Sequence, residues 1–189
     1  MAGMSAHDTD AGYPELATAR LRLRGFRRDD LPYLQAFAVR PALWRYLPGP
    51  EVTADLVEAF LEAQLIAQAE PGGRDWQFCV EHGGFGLPIG TARLSISSPE
   101  HRQGTVALSI DSDHWRQGYG REVLAALTEM GFGDLGLHRL SALADTENLA
   151  GRRLLLAGGY GEEGILRGNF QLRGSWRDTA LFARLNPSD

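Results

Sequence analysis

The sequence predicts an α/β domain built on one mixed sheet with helices on its faces. Three observations carry that class. The elements read strand, two helices, three strands, helix, strand, helix, two strands, which is neither eight βα units nor a doubly wound parallel set. The strand segments alternate apolar and polar residues, whereas the helical segments repeat apolar positions every three to four residues. The 189 residues are 43% hydrophobic and 23% charged, enough to build one real core.

The chain opens on "MAGMSAHDTDAGYPE", which has no basic segment followed by an apolar one. Residues 1–15 therefore read as a flexible tail rather than a secretory signal, and 16–189 as a single domain. Ala19–Phe26 sets Leu21 and Leu23 between arginines, a strand. In "RRDDLPYLQAFA" Asp29 or Asp30 caps a short helix, and Pro32 is tolerated in its first turn. "RPALWRYLPGP" is short and helical or irregular, ended by Pro48 and Pro50. Thr53 then caps a helix with Val57, Phe60, Leu61, Gln64 and Leu65 on one face, stopped at Pro71-Gly72-Gly73. Strands follow at Trp76–Glu81, Ile89–Ser97 and Thr105–Asp111, punctuated by Gly83-Gly84 and the loop around Pro99. The second half reads helix Gly120–Gly133, strand His138–Asp145, helix Asn148–Ala157, strand Gly164–Gln171, a turn over Leu172–Trp176, and strand Asp178–Leu185.

Bulk properties narrow the function classes. The net charge of −5 argues against nucleic acid as a partner, since no phosphate-neutralising field is present. No apolar run reaches the roughly 20 residues that span a bilayer, so no membrane role is expected and the cytoplasm is the default location. A single cysteine, Cys79, excludes an internal disulfide and a cysteine zinc cluster. No histidine pair has ligand spacing with a third donor, so no metal is expected.

The chemistry concentrates where the fourth strand hands over to a helix, in "SIDSDHWRQGYGREVLAALTEMGF". The first N–H groups of a helix lack intrahelical partners and carry its positive end, a natural anion site. Gly118 and Gly120 let backbone approach an anion closely, and Arg116 and Arg121 add charge. The alternative is a tight turn that merely needs glycine. The stretch is not a P-loop and not a dinucleotide fingerprint.

The frame Trp115-Arg116-Gln117-Gly118-Tyr119-Gly120 resembles the acyl-CoA pyrophosphate loop of the GNAT N-acetyltransferases, with tryptophan in the first place as in the Rim-type subgroup that acetylates ribosomal-protein N-termini. "LATARLRLRGFRRDD", "WRYLPGP", "LGLHRLSALADTENLAGRRLLLAGGYGEEGILRG" and "GSWRDTALFARL" are similar to other segments of that subgroup, in order, over about residues 16–186. The resemblance implies a mostly antiparallel sheet splayed between its fourth and fifth strands, with helices on both faces. It implies acetyl-CoA as co-substrate, a primary amine as acceptor and direct attack in a ternary complex. Backbone N–H groups from about Arg116 to Arg121, the Gln117, Gly118, Tyr119 and Gly120 amides among them, would close on the pyrophosphate. Asn148 would bind pantetheine, or serve as a helix N-cap, or both. A backbone N–H near Ile110 would face the developing oxyanion.

The base is open between Asp111 or Asp113 at the fourth strand's exit and Glu147 at the fifth's, against a reading of all three as solvated or capping carboxylates. Gly151 and Leu155 stand where relatives carry hydroxyl groups that protonate the leaving thiolate, so no usual donor is present. Tyr160 reads as a core aromatic, and His114 and His138 as packed or exposed side chains. Trp44, Tyr46, Phe170 and Trp176 are either acceptor-pocket walls or core. A non-catalytic acyl-CoA sensor, or a nucleotide-binding protein using the same helix end, are the rivals. Exposed edges of such sheets often pair, which leaves a homodimer open.

Overall fold

The structure is a computed structural model and describes residues 13–47, 52–70 and 72–189. Most of the expected tail, and Pro48, Pro50 and Pro71, lie outside the described residues. The strands are β1 (Leu16–Ala17), β2 (Leu21–Arg24), β3 (Asp75–His82), β4 (Leu87–Ser98), β5 (Gln103–Ile110), β6 (Arg139–Asp145), β7 (Gly161–Leu172) and β8 (Ser175–Leu185). The helices are α1 (Leu31–Ala38), α2 (Ala54–Ala67), α3 (Tyr119–Glu129) and α4 (Leu149–Ala157). β1 is too short to show a period, so the predicted fourth and fifth strands are β5 and β6.

All eight strands form one sheet in the order β1-β2-β3-β4-β5-β6-β8-β7. Every neighbour pair is antiparallel except β5–β6. That parallel pair holds over only three registers, Gln103↔Arg139, Gly104↔Leu140 and Thr105↔Ser141. β5 stays on β4 as far as Ile110↔Gly90, and β6 stays on β8 as far as Asp145↔Thr179. The sheet therefore opens as a wedge at the carboxyl ends of β5 and β6.

Alternation along the strands divides the core between the two faces. Leu21, Leu23, Phe78, Val80, Leu94 and Val106 pack under α3, whose Val123, Leu124 and Leu127 supply its apolar stripe. Cys79, one residue out of phase with Phe78 and Val80, faces the other side with Phe26, Leu34, Val57 and Leu61 under α1 and α2. The expected Thr53 cap forms: its hydroxyl accepts the Leu56 N–H at 3.3 Å.

Asp30 does more than cap. Buried at 3% exposure, it accepts two bonds from Arg24, both at 2.8 Å, and the Arg27 N–H. Arg24 also donates to Glu81 at 2.6 Å. This buried triad fastens the start of α1 to β2 and β3. Tyr13, inside the expected tail, is packed on the core, with its hydroxyl 3.0 Å from the Gln77 carbonyl and 2.6 Å from the Gln77 N–H.

The predicted helix to Gly133 becomes a π turn from Met130 to Asp134. The last hairpin turn contracts to Arg173 and Gly174, both at positive φ, as a two-residue turn between twisted strands requires. β7 starts at Gly161, three residues before the predicted Gly164, and runs on to Leu172.

Candidate active site

The wedge is lined on one side by β5. The Asp111 N–H bonds to the Ile89 carbonyl on β4 at 2.8 Å. Since successive residues of a strand turn their backbone groups to opposite sides, the N–H and C=O of Ile110 face the wedge. The ladder to β6 has ended five residues earlier, at Thr105. The Ile110 carbonyl is taken nonetheless: the Trp115 indole N–H donates to it at 2.7 Å. Of the two Ile110 backbone groups, the donor is left to the wedge.

The loop after β5 folds as a single 3₁₀ turn, Ser112–His114, and reverses at Arg116 (φ 61°) and Gly118 (φ 84°). Glycine at 118 answers a backbone that L-residues rarely adopt. Gly120 answers a different need, because a Cβ there would lie 3.2 Å from Leu154 of α4. Among the described residues, the N–H groups of Arg116, Gln117, Gly118, Tyr119 and Gly120 have no protein partner, while those of Arg121 and Glu122 bond to the Gly118 carbonyl. The run of free donors expected to Arg121 thus ends at Gly120, and Arg121 has only its side chain to offer. The Tyr119 side chain turns inward, 6% exposed, with its hydroxyl 3.0 Å from His82 Nε2.

Each lip of the wedge carries two carboxylates on one guanidinium. At the β5 lip, Arg40 donates to Asp113 at 2.8 Å and stands 3.7 Å from Asp111. Asp111 is buried and accepts the Asp113 N–H at 3.2 Å. It faces α1, where burial first and the Asp111 charge second hold the Tyr33 hydroxyl well above its ordinary pKa; that hydroxyl is buried with no partner among the described residues. At the β6 lip, Arg177 grips Asp145 through two bonds of 2.9 and 2.8 Å and Glu147 at 2.8 Å. Asp145 is buried, whereas the Glu147 side chain is 67% exposed. Asp111 and Glu147 thus stand on opposite lips, one enclosed and one open.

Asn148 caps α4, its Oδ1 accepting the Gly151 N–H at 2.9 Å, and its Nδ2 remains a donor. Leu155 lies in the core and offers no proton. Tyr160, 1% exposed, shares a 2.9 Å bond with Thr128, and burial raises its pKa; it is structural. His138 pairs with Asp189 at the opposite end of β6 from the wedge. His114 lies in the loop before Trp115, its Nδ1 buried with no partner among the described residues. Trp176 is exposed at 66% and Phe170 half-buried on the last hairpin, while Trp44 donates its indole N–H to the Ala38 carbonyl and Tyr46 lies under the Arg45 guanidinium. Sequence reading missed Arg20, Tyr33, Arg40 and Arg177. They reach the site from distant elements, and no local spacing marks them. Among the described residues, no group of three or more His, Cys, Asp or Glu could hold a metal, and no helix is long and apolar enough to cross a membrane.

The model for an acetyltransferase (GNAT) domain matches residues 20–160. The chain belongs to the GNAT acetyltransferases. The uncharacterized N-acetyltransferase YoaA of Bacillus subtilis is 30% identical over 177 residues, covering 94% of this chain and 99% of that one. Among solved structures, the ribosomal-protein-S5-alanine acetyltransferase of Vibrio fischeri matches with a TM-score of 0.81 at 21% identity, over 92% of this chain and 97% of that one. The spermidine N-acetyltransferase of Vibrio cholerae, in complex with CoA and spermine, matches with a TM-score of 0.76 at 22% identity, over 89% and 97%. These two structural likenesses speak to the fold. For this acetyltransferase they agree with the mixed α/β fold.

Proposed function

We propose that this acetyltransferase moves the acetyl group of acetyl-CoA to a primary amine by direct attack in a ternary complex. The observation that carries the reading is the run of five N–H groups, Arg116 to Gly120, that have no partner among the described residues, at the mouth of the β5–β6 wedge. The CoA found in the Vibrio cholerae spermidine acetyltransferase supports it. The residues fit such a ligand: the amides would take the diphosphate, the Asn148 Nδ2 would take a pantetheine carbonyl, and the wedge would hold the pantetheine arm.

The acceptor must be neutral to attack, and free α-amino groups and lysines have pKa values of about 8 and 10.4. Asp111 and Glu147 flank the wedge, and either can draw off the proton directly or through water. The Ile110 N–H would donate to the carbonyl oxygen as it gains charge. The new C–N bond forms as the C–S bond breaks, and the electron pair leaves on sulfur. A thiol of pKa about 8.5 departs as thiolate and takes its proton from solvent, since neither Gly151 nor Leu155 can supply one. An acetyl-cysteine relay has no candidate in Cys79, whose thiol is buried and pushed up to about 12.

The acceptor is a protein N-terminus or a small amine. Thiol release from acetyl-CoA with a panel of peptides, polyamines and amino acids tests the reading. Initial-rate plots that intersect support direct attack; parallel plots contradict it. Tight CoA binding without turnover on any amine would favour a non-catalytic acyl-CoA sensor, the reading that the missing hydroxyl donors at Gly151 and Leu155 motivate.

A further inference from the structure

The loop that offers the free N–H groups is not held only by its own neighbours. Arg20, in the turn between β1 and β2, donates from Nη2 to the Gln117 carbonyl at 2.8 Å. Its Nε donates to Glu122 at 2.6 Å. Glu122 in turn accepts the Thr18 hydroxyl at 2.7 Å and the Arg20 backbone N–H at 3.3 Å. The guanidinium lies 4.3 Å from the centroid of the Tyr119 ring. A Cβ on Gly118 would come 3.2 Å from Nη2. One side chain thus meets Gln117, Tyr119 and Glu122, nearly a hundred residues further along the chain.

Peptide geometry gives this contact a consequence. No peptide bond among the described residues is cis. In a trans peptide the C=O and the following N–H point in opposite directions. With the Gln117 carbonyl drawn out toward Arg20, the Gly118 N–H points away from Arg20. We infer that Arg20 is a positioning residue for the cofactor loop: it turns the Gln117–Gly118 peptide so that the Gly118 N–H faces the diphosphate, without touching the diphosphate itself. This rests on the reading of the loop as a diphosphate site. The Arg20 charge is already matched by Glu122, whose carboxyl is raised by burial but held below its ordinary range overall by the Thr18 and Arg20 bonds.

Three acyl donors separate this role from its rivals: acetyl-CoA, acetyl-dephospho-CoA without the 3′-phosphate, and S-acetylpantetheine without the diphosphate. Arg20→Met is expected to lower kcat/KM roughly ten- to a hundredfold with the first two, by loss of a charge-assisted bond. With S-acetylpantetheine its loss should stay within about twofold. Glu122→Gln, which leaves the guanidinium charged but loosens it, should show the same pattern more weakly, and it serves if Arg20→Met does not fold. An equal loss with S-acetylpantetheine would overturn the inference, because Arg20 would then merely support the fold. A loss confined to acetyl-CoA would overturn it too, because Arg20 would then bind the 3′-phosphate directly. If the parent protein uses S-acetylpantetheine as well as acetyl-CoA, the diphosphate reading itself fails, and the inference with it.

Discussion

Trp115→Phe removes one hydrogen-bond donor and keeps most of the ring. The donor lost is the indole N–H that holds the Ile110 carbonyl at 2.7 Å. A neutral bond of this kind contributes about 1 kcal/mol net. Trp115 is 49% exposed, so the ground-state cost belongs near the low end, about 0.5 kcal/mol, or a fall in Tm of about 1–2 °C. The effect on turnover should be larger. Losing an oxyanion donor outright costs about 2.7–4 kcal/mol of transition-state stabilisation. In the proposed mechanism Trp115 does not donate to the oxyanion; it fixes Ile110, whose N–H would, and it withdraws a competing acceptor from the wedge. A fall in kcat of about tenfold, near 1.4 kcal/mol, is expected. Thiol release measures kcat, and calorimetry with CoA measures the affinity, which should change by less than about twofold. A kcat within twofold of the parent would refute the role of Ile110. A parallel loss of CoA affinity would show that Trp115 acts on the loop instead.

Further outcomes follow from other contacts. Gly118→Ala places a Cβ on a backbone at φ 84°, a strain of about 1–2 kcal/mol, and calorimetry should show CoA binding weakened by about tenfold or more. Arg24→Met strands Asp30 and Glu81 in the core; breaking such a buried network costs about 3–5 kcal/mol, so thermal unfolding should shift down by roughly 6–20 °C. Glu122 has its folded-state pKa lowered, so the stability it adds is complete above the ordinary carboxylate range and is lost as pH falls through the lower folded value. In acid titrations followed by circular dichroism, Glu122→Gln should flatten that part of the stability curve.

The fold was legible wherever period and punctuation agreed. Val106, Leu108 and Ile110 alternate against Ala107 and Ser109, and the Thr53 cap marks the start of α2 one residue early, where an N-cap belongs. β7 was read three residues short at its start, because Gly161 and Gly164 interrupt its pattern while hydrogen bonds to β8 hold it extended. Glycine was read in the loop as a residue able to take positive φ, and Gly118 takes it. The end of the donor run was not legible, since only the folded backbone shows that the Gly118 carbonyl takes up the Arg121 N–H. Nor could the sequence pair Arg40 with Asp113, Arg177 with Asp145, or Arg20 with Gln117. Those partners lie 73, 32 and 97 residues apart, and a guanidinium bond leaves no trace in spacing.

Amide resonances of the ¹⁵N-labelled protein, followed as coenzyme A is added, test the diphosphate reading most directly. The signals of Gln117, Gly118, Tyr119 and Gly120 should move together to saturation, with the Arg121 amide moving least of the five. Coenzyme A that saturates the protein while those four signals stay in place would contradict it.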